Sequence, residues 1–214
     1  FLRGGDLSPD GKSLYYGANH DFGKGEMIEA TWIYRHDLET GERVALAKPS
    51  LPAYTAPLLN RAGTHLLYSR KDRHPSGRQF YLVDVEGKQD REILNFGDRN
   101  KVYARWLPDS EHILVISEST DGNPQEHISL GLYHFPTERL EWLVDDPARA
   151  IEGAWVSPDG LIVVDEVREG MHQPTFIDPV SGLEQPFPRL PGNLVPVGRN
   201  ADGDWVALYY AANY

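Results

Sequence analysis

The stretch Trp155-Val156-Ser157-Pro158-Asp159-Gly160 decides how this chain is read, because near-copies of it recur. They are Asp6-Leu7-Ser8-Pro9-Asp10-Gly11, Leu59-Asn60-Arg61-Ala62-Gly63, Trp106-Leu107-Pro108-Asp109-Ser110 and Arg199-Asn200-Ala201-Asp202-Gly203. Ser suits the first position of a type I turn, Pro has its φ already set for the second, and Gly accepts the left-handed conformation at the fourth. A turn closed in this way makes a hairpin with a bulge. Short apolar runs follow each corner: Ser13–Tyr16, His65–Tyr68, His112–Ile116, Leu161–Val164 and Trp205–Tyr209. Rich in β-branched and aromatic residues, they read as strands.

Aligned at Asp10, Ala62, Asp109, Asp159 and Asp202, the corners stand 52, 47, 50 and 43 residues apart. A period of roughly 40 to 50 residues made only of strands predicts propeller blades. A second landmark keeps the same register. Asp37 to Gly41 and Asp178 to Gly182 both read Asp-x-x-x-Gly, Asp84 to Gly87 is a shorter version, and His134 to Thr137 occupies that place in the third copy. Two turns per repeat, with the links between them, divide each repeat into four antiparallel strands. The expected fold class is therefore all-β, a β-propeller with four complete blades, about residues 4–53, 54–101, 102–149 and 150–192, and a partial fifth, 193–214. An unpaired sheet edge is a liability, so this count predicts an incomplete propeller whose remaining strands lie outside the sequence. No helix is expected beyond one turn at 147–150.

Bulk properties exclude several classes. A chain of 214 residues is long enough for a sizeable core, and 40% hydrophobic with 25% charged residues is a globular composition. A formal net charge of -11 argues against a nucleic-acid or anionic-membrane partner. With no cysteine, disulfides, thiol catalysis and cysteine metal sites are ruled out. No apolar run approaches the roughly 20 residues of a membrane helix, and the opening Phe1-Leu2-Arg3-Gly4-Gly5 has no leader pattern, so it reads as a cut or processed end. The expected compartment is cytoplasmic, with periplasmic as the alternative.

Catalytic motifs are missing where they would be sought. There is no Gly-x-Ser-x-Gly elbow and no His-Glu-x-x-His. Phe22-Gly23-Lys24-Gly25-Glu26 lacks the Lys-Ser or Lys-Thr ending of a phosphate loop and reads as a flexible loop. Asn200 to Asp204 is explained as a corner, not a calcium loop, so no metal or other cofactor is expected. Asp145 with Asp146, and Glu166 with Glu169, would suit acid-base work only if they converged on one cleft, and otherwise read as solvated turn acids. Trp106 and Trp155, just before their corners, read as packing between adjacent blades, and Trp32, Trp142 and Trp205 as core also. The long links between second and third strands, Gly17 to Ala30, Ser69 to Arg78 and Ser117 to His127, emerge on one face with the connections between blades. That face is the candidate interaction surface. Its cationic cluster, Arg70, Lys71, Arg73 and His74, is the candidate binding site, suited to a carboxylate or an acidic partner surface.

The corners WVSPDG, RWLPDS and DLSPDGKSLYY, with YRHDLETGERVAL further on, resemble the propeller repeats of the prolyl oligopeptidase family and of TolB-like proteins. The long second-to-third links, and the closing GNLVPVGRNADGDWVALYYAANY, lean toward the peptidases. That resemblance implies a non-catalytic propeller that gates peptide access to a separate α/β-hydrolase domain of the same parent chain. It implies peptide substrate as partner and places Ser, Asp and His of catalysis outside these residues. A TolB-like interaction scaffold is the first alternative, and a glycan-active propeller enzyme the second.

Overall fold

A computed structural model describes residues 2–51, 56–72, 77–97, 101–118 and 127–211. Four sheets follow one another along the chain, each a four-stranded antiparallel meander in chain order. The first contains β1 (Leu2–Leu7), β2 (Ser13–Asp21), β3 (Glu26–Asp37) and β4 (Arg43–Ala47); the second, β5 (Leu58–Leu59), β6 (His65–Arg70), β7 (Gln79–Asp84) and β8 (Arg91–Asn95). The third contains β9 (Val102–Trp106), β10 (His112–Glu118), β11 (Ile128–His134) and β12 (Arg139–Val144); the fourth, β13 (Ile151–Val156), β14 (Ile162–Arg168), β15 (Met171–Ile177) and β16 (Glu184–Pro186). A last hairpin pairs β17 (Asn193–Arg199) with β18 (Trp205–Tyr210). The described residues contain no helix, and Asp146 to Arg149 form a turn closed by a 3.1 Å backbone bond. By contact the chain divides into two compact units, Phe1–Glu111 and His112–Tyr214.

The recurring corner forms for the reasons its residues give. Gly11 N donates to Ser8 O at 2.8 Å and Gly160 N to Ser157 O at 2.9 Å. The closing residue is left-handed in each, with φ of 71° at Gly11, 71° at Gly63, 92° at Gly160 and 86° at Gly203. Ser110 takes that conformation in the third corner at φ 63°. Ser and Asp also bond to one another, Ser8 Oγ to Asp10 Oδ1 and Ser157 Oγ to Asp159 Oδ1, both at 2.5 Å.

Corners also touch their neighbours, which turn chemistry alone does not require. A Cβ on Gly63 would lie 2.7 Å from Pro9 Cδ. Ala62 N donates to Ser110 Oγ at 2.9 Å, and Arg199 Nη2 to Asp159 Oδ2 at 2.5 Å. Each corner is therefore both a turn and a joint between successive repeats.

Sheet faces supply the rest of the core. Period-2 alternation sends Tyr15 to one side of β2 and Leu14 with Tyr16 to the other. Tyr15, Ile33, Leu46 and Ala47 of the first sheet cluster with Leu66, Tyr68, Tyr81 and Val83 of the second. Ile33, Leu66 and Val83 in that cluster are wholly buried. In the second unit Phe176 stacks on Trp205 with ring centroids 4.6 Å apart, and Trp155 meets Trp205 edge-on at 6.1 Å. Trp106 Nε1 donates to Leu58 O at 3.0 Å, so both tryptophans before corners do pack against the neighbouring repeat. Trp142 does not fit the core expectation: it is 42% exposed on β12, lying over Gly131, where a Cβ would come within 3.0 Å of its ring.

One link is shorter than its composition predicts. β2 and β3 run on to Asp21 and Glu26, leaving a tight turn where Gly17 to Ala30 reads as a link and 22–26 as a flexible loop. Asp21 Oδ1 accepts from Gly23 N at 2.9 Å and Lys24 N at 3.3 Å, and Gly25 N returns to Asp21 O at 2.8 Å. Residues 28–31 of β3 stand opposite Asn19 alone, and Asn19 Nδ2 fastens this bulge through Glu29 O at 2.9 Å and Thr31 Oγ1 at 3.2 Å. Phe22 then folds back onto Tyr34, edge-on at 5.0 Å, so the turn is held by apolar burial as well as by Asp21.

Candidate functional site

In an antiparallel meander the start of the first strand, the link between second and third, and the exit of the fourth all lie at one end of the sheet. At that end of the second sheet, Arg70 is enclosed by its own repeat. Its guanidinium donates to the Tyr68 hydroxyl and the Asp90 carboxylate, pairs with Asp72 Oδ2 at 3.6 Å, and lies 4.2 Å from the centre of the Tyr81 ring. Tyr68 donates to Asp90 Oδ1 at 2.6 Å. Burial first, then Asp90, push its hydroxyl well above the ordinary tyrosine range, so it keeps its proton and donates. Lys71 is half-buried beside it, while Arg73 and His74 lie outside the described residues. With 13% of its side chain exposed, Arg70 holds this end together.

A groove of about 180 Å³ opens nearby, between the second and third sheets. Leu58, Leu67 and Phe80 contribute an apolar floor, and Arg78, Tyr103 and Arg105 join the wall. Arg78 Nη1 donates to Val102 O at 2.9 Å, and its guanidinium sits 5.3 Å from the centre of the Tyr103 ring. No sequence motif announces this groove, since its two arginines come from different repeats. A second hollow, of about 510 Å³, lies on the first sheet against Leu14, Tyr16, His20, Phe22 and Arg43.

Other ionisable clusters are built for holding. Ser129 Oγ donates to Asp145 Oδ1 at 2.6 Å, and His127 Nε2 meets the same oxygen at 2.9 Å. The carboxylate stands between Ser and His here. A Ser-His-Asp relay needs the imidazole in the middle to take the hydroxyl proton, so this trio does not have that geometry. Glu166 corrects its reading as a solvated turn acid. It is 2% exposed and accepts from Arg149 Nε at 2.7 Å, Arg168 Nη2 at 2.6 Å and Thr175 Oγ1 at 2.9 Å. Burial raises its pKa, but the bonds from Arg149, Thr175 and Arg168 prevail and lower it below the ordinary value. Arg149 also binds Glu184 of β16, so the network ties the sheet's first strand entry to its last strand. Among the described residues no group of three or more His, Asp or Glu is placed to hold a metal ion, and no helix is long and apolar enough to cross a membrane.

No family model and no curated protein matches the chain by sequence. Solved structures match it by fold. TolB from Acinetobacter baumannii aligns at 18% identity and a TM-score of 0.58, covering 98% of this chain and 52% of that one. The acylaminoacyl peptidase of Pyrococcus horikoshii aligns at 13% identity and 0.62, over 88% of this chain and 32% of the peptidase. Dipeptidyl peptidase 4 of Porphyromonas gingivalis aligns at 10% and 0.64, over 96% and 36%. The chain thus spans about half the length of the first and about a third of the other two. Likeness at such low identity establishes the fold alone: the repeats are four-stranded blades of a β-propeller, four complete and one represented by its first hairpin.

Proposed function

We propose that this chain is the propeller part of a serine peptidase of the prolyl oligopeptidase kind, meeting peptide substrate and filtering its passage to a separate α/β-hydrolase domain. The observation that carries this reading is the first sheet's long hairpin. β2 and β3 reach 9 and 12 residues beside a β4 of 5, so the hairpin rises past the sheet's outer strand at the link-bearing end. A raised, capped wall at the end where the links emerge suits a filter. The Ser129, Asp145 and His127 arrangement supports a non-catalytic role, because its order does not activate a hydroxyl.

The full gene product is expected to encode Gly-x-Ser-x-Gly, followed by Asp and His, beyond Tyr214. The 214-residue chain by itself should leave peptides intact. A reading frame without such a domain, or cleavage by the purified chain that a single substitution abolishes, would contradict the proposal. One observation favours a TolB-like interaction scaffold instead: Val195, Val197, Val206, Leu208 and Tyr210 of the last hairpin are 36% to 58% exposed on one side, an apolar surface suited to another protein.

A further inference from the structure

The groove between the second and third sheets carries a charge that the chain as a whole does not. There are 32 acidic residues against 21 lysines and arginines. Yet among the described residues the groove's wall includes Arg78 and Arg105 and no carboxylate. An anion entering it meets Arg78 and Arg105 with no competing acid among the described lining residues.

Arg78 is also positioned before any ligand arrives. Its bond to Val102 O and its place over the Tyr103 ring fix the plane of the guanidinium. A guanidinium presents five donors in a rigid fork that matches a carboxylate, and a fork already ordered loses less freedom on binding. Beneath it the floor of Leu58, Leu67 and Phe80 is apolar, so a fully hydrated inorganic anion would leave that surface unused. The volume of about 180 Å³ is small. Since a cavity of about 150 Å³ takes a benzene-sized guest, there is room for one branched side chain beside the charged group.

We propose that this groove binds a carboxylate joined to one small apolar side chain, the chemistry of a peptide C-terminus ending in Leu or Val or of a free branched acid. A free amino acid is a poorer fit, because its ammonium would be carried toward two arginines. The assignment stands on the groove's own wall and does not depend on the peptidase reading: a gene product without a hydrolase domain would end that reading and leave this one untouched.

The test is calorimetric or NMR titration of the 214-residue chain with N-acetyl-alanyl-leucine, its C-terminal amide, and 4-methylpentanoate. Saturable binding of the acid is expected, with the amide at least about tenfold weaker, because charge-assisted bonds are roughly twice as strong as neutral ones. Arg105→Gln, at an exposed position, should weaken the acid about tenfold and leave the amide unchanged. Arg78→Gln should do the same, with its melting temperature reporting whether the seam survives the loss of the Val102 bond. Tighter binding of the peptide than of 4-methylpentanoate assigns the site to chain ends, and equal binding assigns it to free acids; both uphold the proposal. Equal affinity for acid and amide, indifference of acid binding to Arg105→Gln in a folded protein, or no saturable binding would overturn it.

Discussion

Two tyrosine pairs occupy equivalent places in the first and second sheets and meet different fates. Tyr16 and Tyr34 face each other across β2 and β3 with centroids 5.8 Å apart, and Tyr68 and Tyr81 across β6 and β7 at 5.9 Å. The second pair is covered by another sheet, through Tyr15, Ile33, Leu46 and Ala47. Side chains of the first pair's own sheet cover it: Phe22 folds over it, and Arg43 lies 4.8 Å from the centre of the Phe22 ring. The same strand pattern can therefore be closed by a neighbouring repeat or by a hairpin turned back on itself. Closing by a sheet buries Leu66 completely, while closing by a cap leaves the equivalent Leu14 half-exposed beside an open hollow.

The largest way to break this difference is Ile33→Ala. Ile33 is wholly buried between the two sheets, and its truncation should cost about 3 kcal/mol in denaturant unfolding. A loss under about 1 kcal/mol would mean the sheets do not pack there. Phe22→Ala removes the cap from the other face. Because that ring is half-buried, the cost should be nearer 1.5 kcal/mol, with new binding of a hydrophobic dye.

Tyr68→Phe sharpens the contrast at the covered pair. It deletes the hydroxyl that Asp90 and Arg70 share, and about 1 kcal/mol should be lost. Tyr34→Phe, whose hydroxyl donates to His20 O at 2.7 Å, should show a similar loss without altering how the second sheet packs. The corner joints offer the smallest test. Pro9 against Gly63 is apolar, whereas Asp159 with Arg199 is ionic. Burial raises the Asp159 pKa, but Ser157 and Arg199 outweigh it, so the folded value lies below the ordinary 3.8. A depressed carboxylate contributes stability above its unfolded pKa and loses it as pH falls through the folded one. Arg199→Gln should therefore cost a fraction of a kcal/mol more at pH 7 than well below pH 3.8, where only its bond to Gly203 O and its place over the Trp205 ring are left to lose, measured by urea midpoints.

What could be read from the sequence was what local chemistry decides. Ser157-Pro158-Asp159-Gly160 specifies its own turn, and Asp37 and Asp178 cap theirs by accepting from Thr40 N at 2.7 Å and Ser181 N at 3.0 Å. Those signals sit within four residues and need no tertiary partner. Asn19, His20 and Asp21 have loop-like composition, and only the fold shows Asn19 binding across a bulge and Asp21 capping a turn. Glu166 was illegible for a different reason. Its partners Arg149 and Thr175 come from other strands or links, and nothing in their spacing announces that they meet. The Arg78 and Arg105 groove is the same case, assembled from two repeats.

Because the chain has no cysteine, single thiols report on these faces directly. The most direct test of sheet-on-sheet packing compares labelling rates of Leu66→Cys and Leu14→Cys, the equivalent positions on the covered and the self-capped face. Leu66→Cys should react only when the protein unfolds, and Leu14→Cys readily in the native state. Equal rates at the two positions would contradict the account.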